Sequence, residues 1–391
     1  MIRLLFKLIW NQRRKHFGIF FEFFFSFLVL FAVFSFGFSY LKQYLSPLGF
    51  DYKDTWVVEL DWNDAPDEKV TETLTLLKNQ MSSYGEIETY SFSGKNIPFS
   101  TSSAIDEFST EQEQVDADVF KVDDSFADLF NINIQEGRWF GQEDDVSTYP
   151  PVVITSSMAE QLFDSTSDAI DQQIQLREQT LKVVGVVDYF RYRGEFSRGV
   201  EGGNGIFFRK DLDSNPPILM VKVDQQAKAS LEATIRQDLR SIAPGWAIET
   251  NYLSDMRNKK LRAALMPLAI VVIISGFLLV NVALGLFGLL WQSISKRRGE
   301  IGIRKSMGSS NTEITLQLIG EMLVVASFGL IIGFFLAIQF PILNVFGLSS
   351  GVYIGAIIAA AASIYLLVII CAYFPSNQAS KLSIANALRF E

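Results

Sequence analysis

The chain has 391 residues, of which 49% are hydrophobic and 20% are charged. This composition is too apolar for an ordinary soluble protein and too polar for a chain that lies wholly within a membrane. A single cysteine, Cys371, excludes an intramolecular disulfide and a CxxC metal site. A single histidine, His16, excludes multi-histidine metal sites and argues against a Ser-His-Asp triad. The sequence contains no GxxxxGK(S/T) phosphate-binding loop.

Charge divides the chain into two parts. Residues 41–262 hold 22 basic and 38 acidic side chains, a charge of −16, whereas the remaining residues hold 12 basic and 5 acidic ones, a charge of +7. An acidic domain flanked by basic membrane edges is typical of an extracytoplasmic domain. It argues against nucleic-acid binding, which needs a basic face.

The N-terminal segment 1–16 alternates apolar and basic residues, which predicts either an amphipathic helix on the cytoplasmic membrane surface or only a positive flank. A signal peptide is disfavoured because the apolar run that follows is too long. Residues 17–40 are predicted to form the first transmembrane helix. Glu22 lies near its cytoplasmic end, where we expect it to snorkel or to pair with Arg13 or Arg14 rather than to act as a functional intramembrane carboxylate.

Residues 41–262 predict an α+β domain between the first and second spans. Strand, helix and strand patterns occur in that order at 55–60, 67–81 and 87–92, and they return at 217–223, 228–242 and 246–252. Two such units predict a ferredoxin-like core, 53–102 and 209–255, divided by an insertion at 103–208. Within the insertion, Gly137 and Gly185 are predicted to serve as turn and close-packing glycines.

Three further spans complete the predicted fold class, a four-helix membrane protein with an inserted α+β extracytoplasmic domain. They are predicted at 263–292, where a polar stalk runs into the membrane helix without a break, at 314–341 and at 352–374. The segment 375–391 is predicted as a tail. Glu321 lies in the first turns of the third span, and Gly329, Gly333 and Ala337 follow at four-residue spacing. This small-residue stripe indicates close helix packing, either within the subunit or at a dimer seam.

The loop 293–313 between the second and third spans is short and basic. Its five positive charges against two negative ones place it in the cytoplasm by the positive-inside rule, together with both termini. Gly308 is expected to end a helix, and Ser309, Ser310 and Asn311 to begin the next one.

This loop contains RGEIGIRKSMGSS at 298–310, which resembles the signature of the FtsX/MacB family of ABC-transporter permeases. In the insertion, GRWF at 137–140 and VVGVVD at 183–188 resemble runs of the MacB-type periplasmic core domain. The tail resembles the family ending, except that Ser383 or Ile384 stands where an internal proline is usual.

The resemblance implies a non-catalytic permease of a bacterial inner membrane, driven by a separate cytosolic ABC ATPase dimer. The ATPase would use ATP and Mg, and the chain itself would bind no cofactor. Further partners implied are membrane lipid, a second permease subunit, identical or not, and for an exporter a periplasmic adaptor and an outer-membrane duct. The predicted ATPase-coupling surface comprises Arg298, Glu300, Ile301, Ile303, Arg304, Lys305 and Met307.

The sequence leaves alternatives for the role of this loop and for the function of the protein. The charges of the loop could instead anchor it at lipid headgroups. For the protein, MacB-like export of a peptide, toxin or drug competes with lipoprotein extraction, as by LolC and LolE, and with FtsX-like regulation of cell-wall hydrolases.

Overall fold

The structure is a computed structural model that describes residues 13–63, 65–196, 203–209, 218–224, 229–296 and 298–380. Most of the predicted N-terminal amphipathic helix and residues 381–391 of the predicted tail lie outside the described residues. The chain divides into two compact units, one formed by Met1–Gln43 with Leu265–Glu391 and the other by Tyr44–Ala264.

The second unit contains eleven strands and four helices among its described residues, followed by the start of a long helix. The strands are β1 (Thr55–Asp61), β2 (Ile87–Ser93), β3 (Ile105–Ser109), β4 (Gln114–Val122), β5 (Ile134–Gly137), β6 (Pro151–Thr155), β7 (Gln173–Leu176), β8 (Gln179–Val187), β9 (Gly205–Arg209), β10 (Ile218–Val223) and β11 (Ala247–Tyr252). The helices are α2 (Asp67–Met81), α3 (Phe126–Phe130), α4 (Ser156–Phe163) and α5 (Ala229–Ile242).

One end of this unit is a ferredoxin-like sheet. Its strands lie in the order β11-β1-β10-β2 with antiparallel neighbours, the order that two βαβ units adopt in that fold. Leu74 and Leu77 of α2 and Leu239 of α5 pack with Val58 and Val221 of the sheet. Both helices therefore cover one face, as their helical spacing of apolar residues requires.

The other end is a closed ring of strands. The pairings run β4-β3-β7-β8-β6-β9, and β9 returns to pair with β4 in parallel. Closure removes the free sheet edges that would otherwise pair with other chains. Two glycines allow β5 to approach β8. A Cβ on Gly137, whose φ is +72°, would lie 2.4 Å from the Val184 carbonyl oxygen, and one on Gly185 would lie 2.1 Å from the Arg138 oxygen. The prediction of close-packing glycines is thus confirmed.

The first unit is helical. Its long helices are α1 (Arg13–Leu45), α6 (Leu253–Lys296, which begins in the other unit), α8 (Asn311–Ala337) and α10 (Ser350–Ser380), and its short ones are α7 (Arg298–Ser306) and α9 (Gln339–Ile342). The four long helices are long and apolar enough to cross a membrane. At about 1.5 Å per residue, the 44-residue α6 is roughly twice as long as the hydrocarbon core is thick.

The core of the helical unit is built on the phenylalanines of α1. Phe23, Phe27 and Phe31 are buried against α8, α10 and the last turns of α6. On α6, Val282, Leu286 and Leu290 join this core at four-residue spacing. The half of α6 that precedes them is mostly exposed instead.

Candidate coupling site

The loop between the second and third spans folds into the short helix α7, whose C-terminal end is fixed by the sequence that follows it. At its end, Gly308 has a φ of +97°, the Ser309 N–H donates to the Arg304 oxygen and the Gly308 N–H donates to the Lys305 oxygen. This pair of bonds is a Schellman motif, which the positive φ of glycine makes possible. The next helix, α8, begins with a capping box between Ser310 and Glu313. The predicted helix end and helix start are therefore confirmed.

A chain of polar side chains ties α7 to α8. Arg304 donates through Nη2 to Glu300 Oε1 at 2.6 Å and through Nη1 to Gln317 Oε1. Gln317 in turn donates to Glu321 Oε1 at 3.2 Å. A guanidinium that bridges two partners has one preferred orientation, so α7 is held in a defined rotation against the third span.

An apolar contact lies beneath this network. Ile301 is only 5% exposed and packs with Ile294 of α6 and with Ile314 and Leu318 of α8. The sequence placed Ile301 on the exposed coupling surface; the structure places it in the interior. The physical reason is that α7 buries one side against α6 and α8, and Ile301 is the apolar residue on that side.

Two exposed apolar residues lie on the outward side of α7 and directly after its last residue. Ile303 is 52% exposed and Met307 is 74% exposed. Lys305, which lies between them in the sequence, is half-buried. The side chain of Arg298 lies outside the described part of the structure. Of the predicted surface, Ile303 and Met307 are thus the described apolar residues that a partner could reach, while Glu300 and Arg304 pair with each other.

The two predicted membrane carboxylates lie in different surroundings. Glu22 of α1 lies against α6, because a Cβ added to Gly285 would be 3.0 Å from Glu22 Oε1. Its expected partners Arg13 and Arg14 have side chains outside the described part of the chain. Glu321 belongs to the network that reaches α7. Of the two, only Glu321 is linked to the candidate site by a hydrogen bond between described residues.

The small-residue stripe of α8 contacts the first span of the same chain. A Cβ on Gly329 would lie 3.0 Å from the Phe20 carbonyl oxygen and from Phe23 Cβ, and one on Gly333 would lie 2.4 Å from Phe27 Cδ1. Ala337, one turn further, is fully buried. These contacts support packing within the subunit, the first of the two interpretations that the sequence left open.

Sequence reasoning did not single out Gln317, although it joins the two halves of the network. Its spacing of four residues from Glu321 was the available signal, since side chains at that spacing meet on a helix. Its bond to Arg304 depends on the approach of two helices, and the sequence does not give that.

Comparison with known proteins covers both units of the chain. Residues 25–238 match the MacB-like periplasmic core domain, and residues 272–384 match the FtsX-like permease C-terminal family. The chain is 27% identical to the macrolide export ATP-binding/permease protein MacB of Bdellovibrio bacteriovorus, over 65% of this chain and 41% of that protein. It is 26% identical to the ABC transporter permease YvrN of Bacillus subtilis, over 70% of each chain.

Among solved structures, the periplasmic region of MacB from Actinobacillus actinomycetemcomitans is similar to 56% of this chain and to 97% of its own length, with 12% identity and a TM-score of 0.38. The chain spans less than half of the Bdellovibrio MacB protein that it matches. The match to the periplasmic core domain covers more than half of the chain, and the permease match covers the helices that hold α7. The protein, with its four candidate spans and its extracytoplasmic domain, therefore belongs to the FtsX/MacB family of ABC-transporter permeases.

Proposed function

We propose that this chain is the permease subunit of an ABC transporter in a bacterial inner membrane, and that it carries the work of a separate cytosolic ATPase to its periplasmic domain. The observation that carries the proposal is the outward side of α7, where Ile303 and Met307 are exposed on a helix that is fixed to the third span. Transmission of a conformational change needs both features: a surface to which the ATPase can bind, and a rigid attachment of that surface to a transmembrane helix.

The chemistry of this surface favours a protein partner over lipid headgroups. Headgroup anchoring uses basic side chains that reach outward. Here Arg304 is engaged with Glu300 and Gln317, and the exposed apolar side chains are Ile303 of α7 and Met307, which directly follows α7. Flexible methionines on an exposed surface are typical of docking sites that fit into a groove.

We further propose MacB-like export of a peptide, toxin or drug, with the N- and C-termini in the cytoplasm. The match to the MacB-like periplasmic core domain supports export over the regulatory alternative. The basic composition of 293–313 supports the orientation. In this arrangement ATP and Mg are bound by the ATPase subunits.

A second permease subunit is part of this proposal, and we propose that it contacts α6. Val271, Val272, Ile273 and Ile274 are all exposed, and four consecutive helical residues point to all sides of a helix. In its most apolar 18-residue stretch only 6% of the residues are buried, against 33% in the corresponding stretches of the first and third spans and 22% in that of the fourth. One side of α6 can face lipid, which leaves the other side for a neighbouring subunit.

Asn281 supports the same contact. It is exposed in the middle of the apolar run, and its amide Nδ2 donates to the Phe277 carbonyl oxygen of its own helix at 2.8 Å. The Asn281 Oδ1 accepts no hydrogen bond from the described residues. An amide in hydrocarbon gains from a hydrogen bond across a helix pair, so a facing helix of a second subunit would satisfy it.

The experiment for the coupling proposal is to replace each outward apolar residue by aspartate, as Ile303→Asp and Met307→Asp. In membranes that contain the intact complex, we expect transport-dependent ATP hydrolysis and co-purification of the ATPase to fall about tenfold, the scale of one lost interface anchor. Ser306→Asp is the matched control, since it adds the same charge to the same helix on an exposed polar residue.

Insertion and amount of the permease in the membrane should be equal in all three variants, because neither Ile303 nor Met307 packs in the core. If ATP hydrolysis and co-purification persist in both aspartate variants, α7 is not the docking surface. A loss of the same size in Ser306→Asp would mean that charge alone, rather than the apolar contact, accounts for the effect.

A further inference from the structure

The periplasmic unit has a cleft beside the residues that lead into the second span. Its volume is about 400 Å³, and its lining includes Ser100, Ser102, Arg193, Lys260, Leu261 and Ala264. Ala264 is followed directly in the chain by the apolar run that begins at Leu265. One wall of the cleft is therefore built by the residues that directly precede this apolar run in the chain.

The one carboxylate that lines this cleft is already neutralised. Glu195 is 3% exposed in its side chain and accepts from Arg257, at 2.7 Å from Nε and 2.5 Å from Nη2. Its backbone oxygen accepts a further hydrogen bond from Arg191. Glu195 therefore contributes no net negative charge for a ligand to overcome.

Arg193 is held in place while part of its guanidinium stays available. Its Nη2 donates to Asp118 Oδ1 at 2.8 Å and its Nε donates to the Tyr192 hydroxyl at 2.6 Å. Burial, together with the hydrogen bond that it donates to Asp118, raises the pKa of Tyr192 well above its ordinary value, so this phenol stays neutral. The Arg193 Nη1 group bonds to no other described residue. An arginine fixed in this way is pre-organised to bind an anion.

Lys260 adds a second cation to the same cleft. Among the described residues no carboxylate lies within 4.0 Å of its ammonium group. The Arg193–Asp118 and Arg257–Glu195 pairs are each balanced in charge, so Lys260 adds one positive charge to the cleft, within a domain whose charge is −16. Water in a cleft screens such a positive charge less than bulk water does. The charge therefore attracts an anion more strongly there.

The loop 100–103 completes the lining with four hydroxyl groups. The Ser100 hydroxyl donates to the Ser102 carbonyl oxygen at 3.3 Å, which curls the loop, and the side chains of Thr101, Ser102 and Ser103 are exposed. Hydroxyls together with an arginine and a lysine form a donor set that suits phosphate oxygens. Leu261 and Ala264 add apolar side chains to the lining of the cleft.

We propose that this cleft binds a phosphate-bearing anion, with Lys260 and Arg193 as the charged ligands and the hydroxyls of the loop 100–103 as further donors. The same chemistry is offered by the headgroup of an anionic phospholipid and by a free phosphate. The proposal is independent of the ATPase, so it can fail or hold separately from the coupling site.

The test uses the full-length chain purified in mild detergent without any ATPase. In one arm, native mass spectrometry counts bound phosphatidylglycerol against phosphatidylcholine; in the other, calorimetry measures binding of inorganic phosphate. Lys260→Gln should weaken binding about tenfold, the scale of one charge-assisted hydrogen bond, and Ser102→Ala about threefold. Lys259→Gln is the matched control, since it removes the same charge from the neighbouring exposed residue of the same helix.

A signal in the lipid arm alone identifies a headgroup site, and a signal in both arms identifies a site for phosphate itself; both support the proposal when Lys260→Gln and Ser102→Ala weaken binding. The proposal is overturned if neither ligand binds better than phosphatidylcholine. It is equally overturned if Lys259→Gln weakens binding as much as Lys260→Gln, because that result would describe diffuse surface charge. Should Lys260→Gln fail to fold, Ser102→Ala at an exposed hydroxyl still decides between these outcomes.

Discussion

The second and third spans of this protein differ in how much of their surface packs against the rest of the chain. Helix α8 is packed by Gly329 and Gly333 against the phenylalanines of α1, and 33% of its most apolar 18-residue stretch is buried. In helix α6 only 6% of the corresponding stretch is buried, and the helix runs without a break from the extracytoplasmic unit to Lys296. Helix α8 therefore holds α7 in place, whereas α6 has an exposed surface and continues in the chain from the extracytoplasmic domain.

The largest expected effect comes from removing the apolar contact between α7 and its support. Ile301→Ala leaves a cavity among Ile294, Ile314 and Leu318, at a cost of about 2–5 kcal/mol for a buried isoleucine. Amide hydrogen exchange across 298–306 should therefore speed up markedly. Ile303→Ala, the same substitution on the exposed side of the same helix, should leave exchange unchanged. Equal exchange in the two variants would refute the assignment of inner and outer sides.

The packing of α8 on α1 can be broken at one glycine. Gly333→Leu would force its Cβ to within 2.4 Å of the fully buried Phe27 ring, and overpacking of this kind costs about 1–3 kcal/mol. The melting temperature of the detergent-purified chain should fall. Gly320→Leu on the same helix, where an added Cβ meets nothing within 4 Å, should not lower it. An unchanged melting temperature for Gly333→Leu would mean that α8 is as loosely packed as α6.

The smallest effect is expected on the free surface of α6. Asn281→Leu removes the amide that we propose bonds across the pair of permeases, a contribution of about 0.6–1.7 kcal/mol. Association of differently labelled subunits in nanodiscs, followed by energy transfer, should weaken by about three- to twentyfold. Val280→Leu, a neighbouring exposed position, is the control. Stronger association of Asn281→Leu would place Asn281 against lipid.

The elements of this fold could be predicted because their signals are local. Long apolar runs define the four spans, Gly308 and Ser310 mark the end of α7 and the start of α8, and two βαβ units follow from period and length. Pairings between distant segments could not be predicted in this way. The parallel pairing of β4 with β9, which closes the ring, joins residues more than 80 positions apart.

The position of the candidate site in the sequence could be predicted, but the side of α7 that faces the other helices could not. Ile301 and Ile303 are both apolar residues on a polar helix, and they lie about 200° apart around its axis. Which of them faces the bundle depends on how α7 docks against α6 and α8. The same limit applies to the glycine stripe, since close packing does not reveal which helix is packed.

The most direct measurement of the central claim is site-specific photocrosslinking in living cells. A benzophenone amino acid in place of Met307, an exposed residue that directly follows α7, should crosslink to an ABC ATPase that mass spectrometry identifies. The same amino acid at Ser102 in the periplasmic unit should yield no ATPase adduct. An ATPase adduct at Met307 alone is the predicted result; no ATPase adduct at Met307, or adducts there only with extracytoplasmic proteins, would contradict the account.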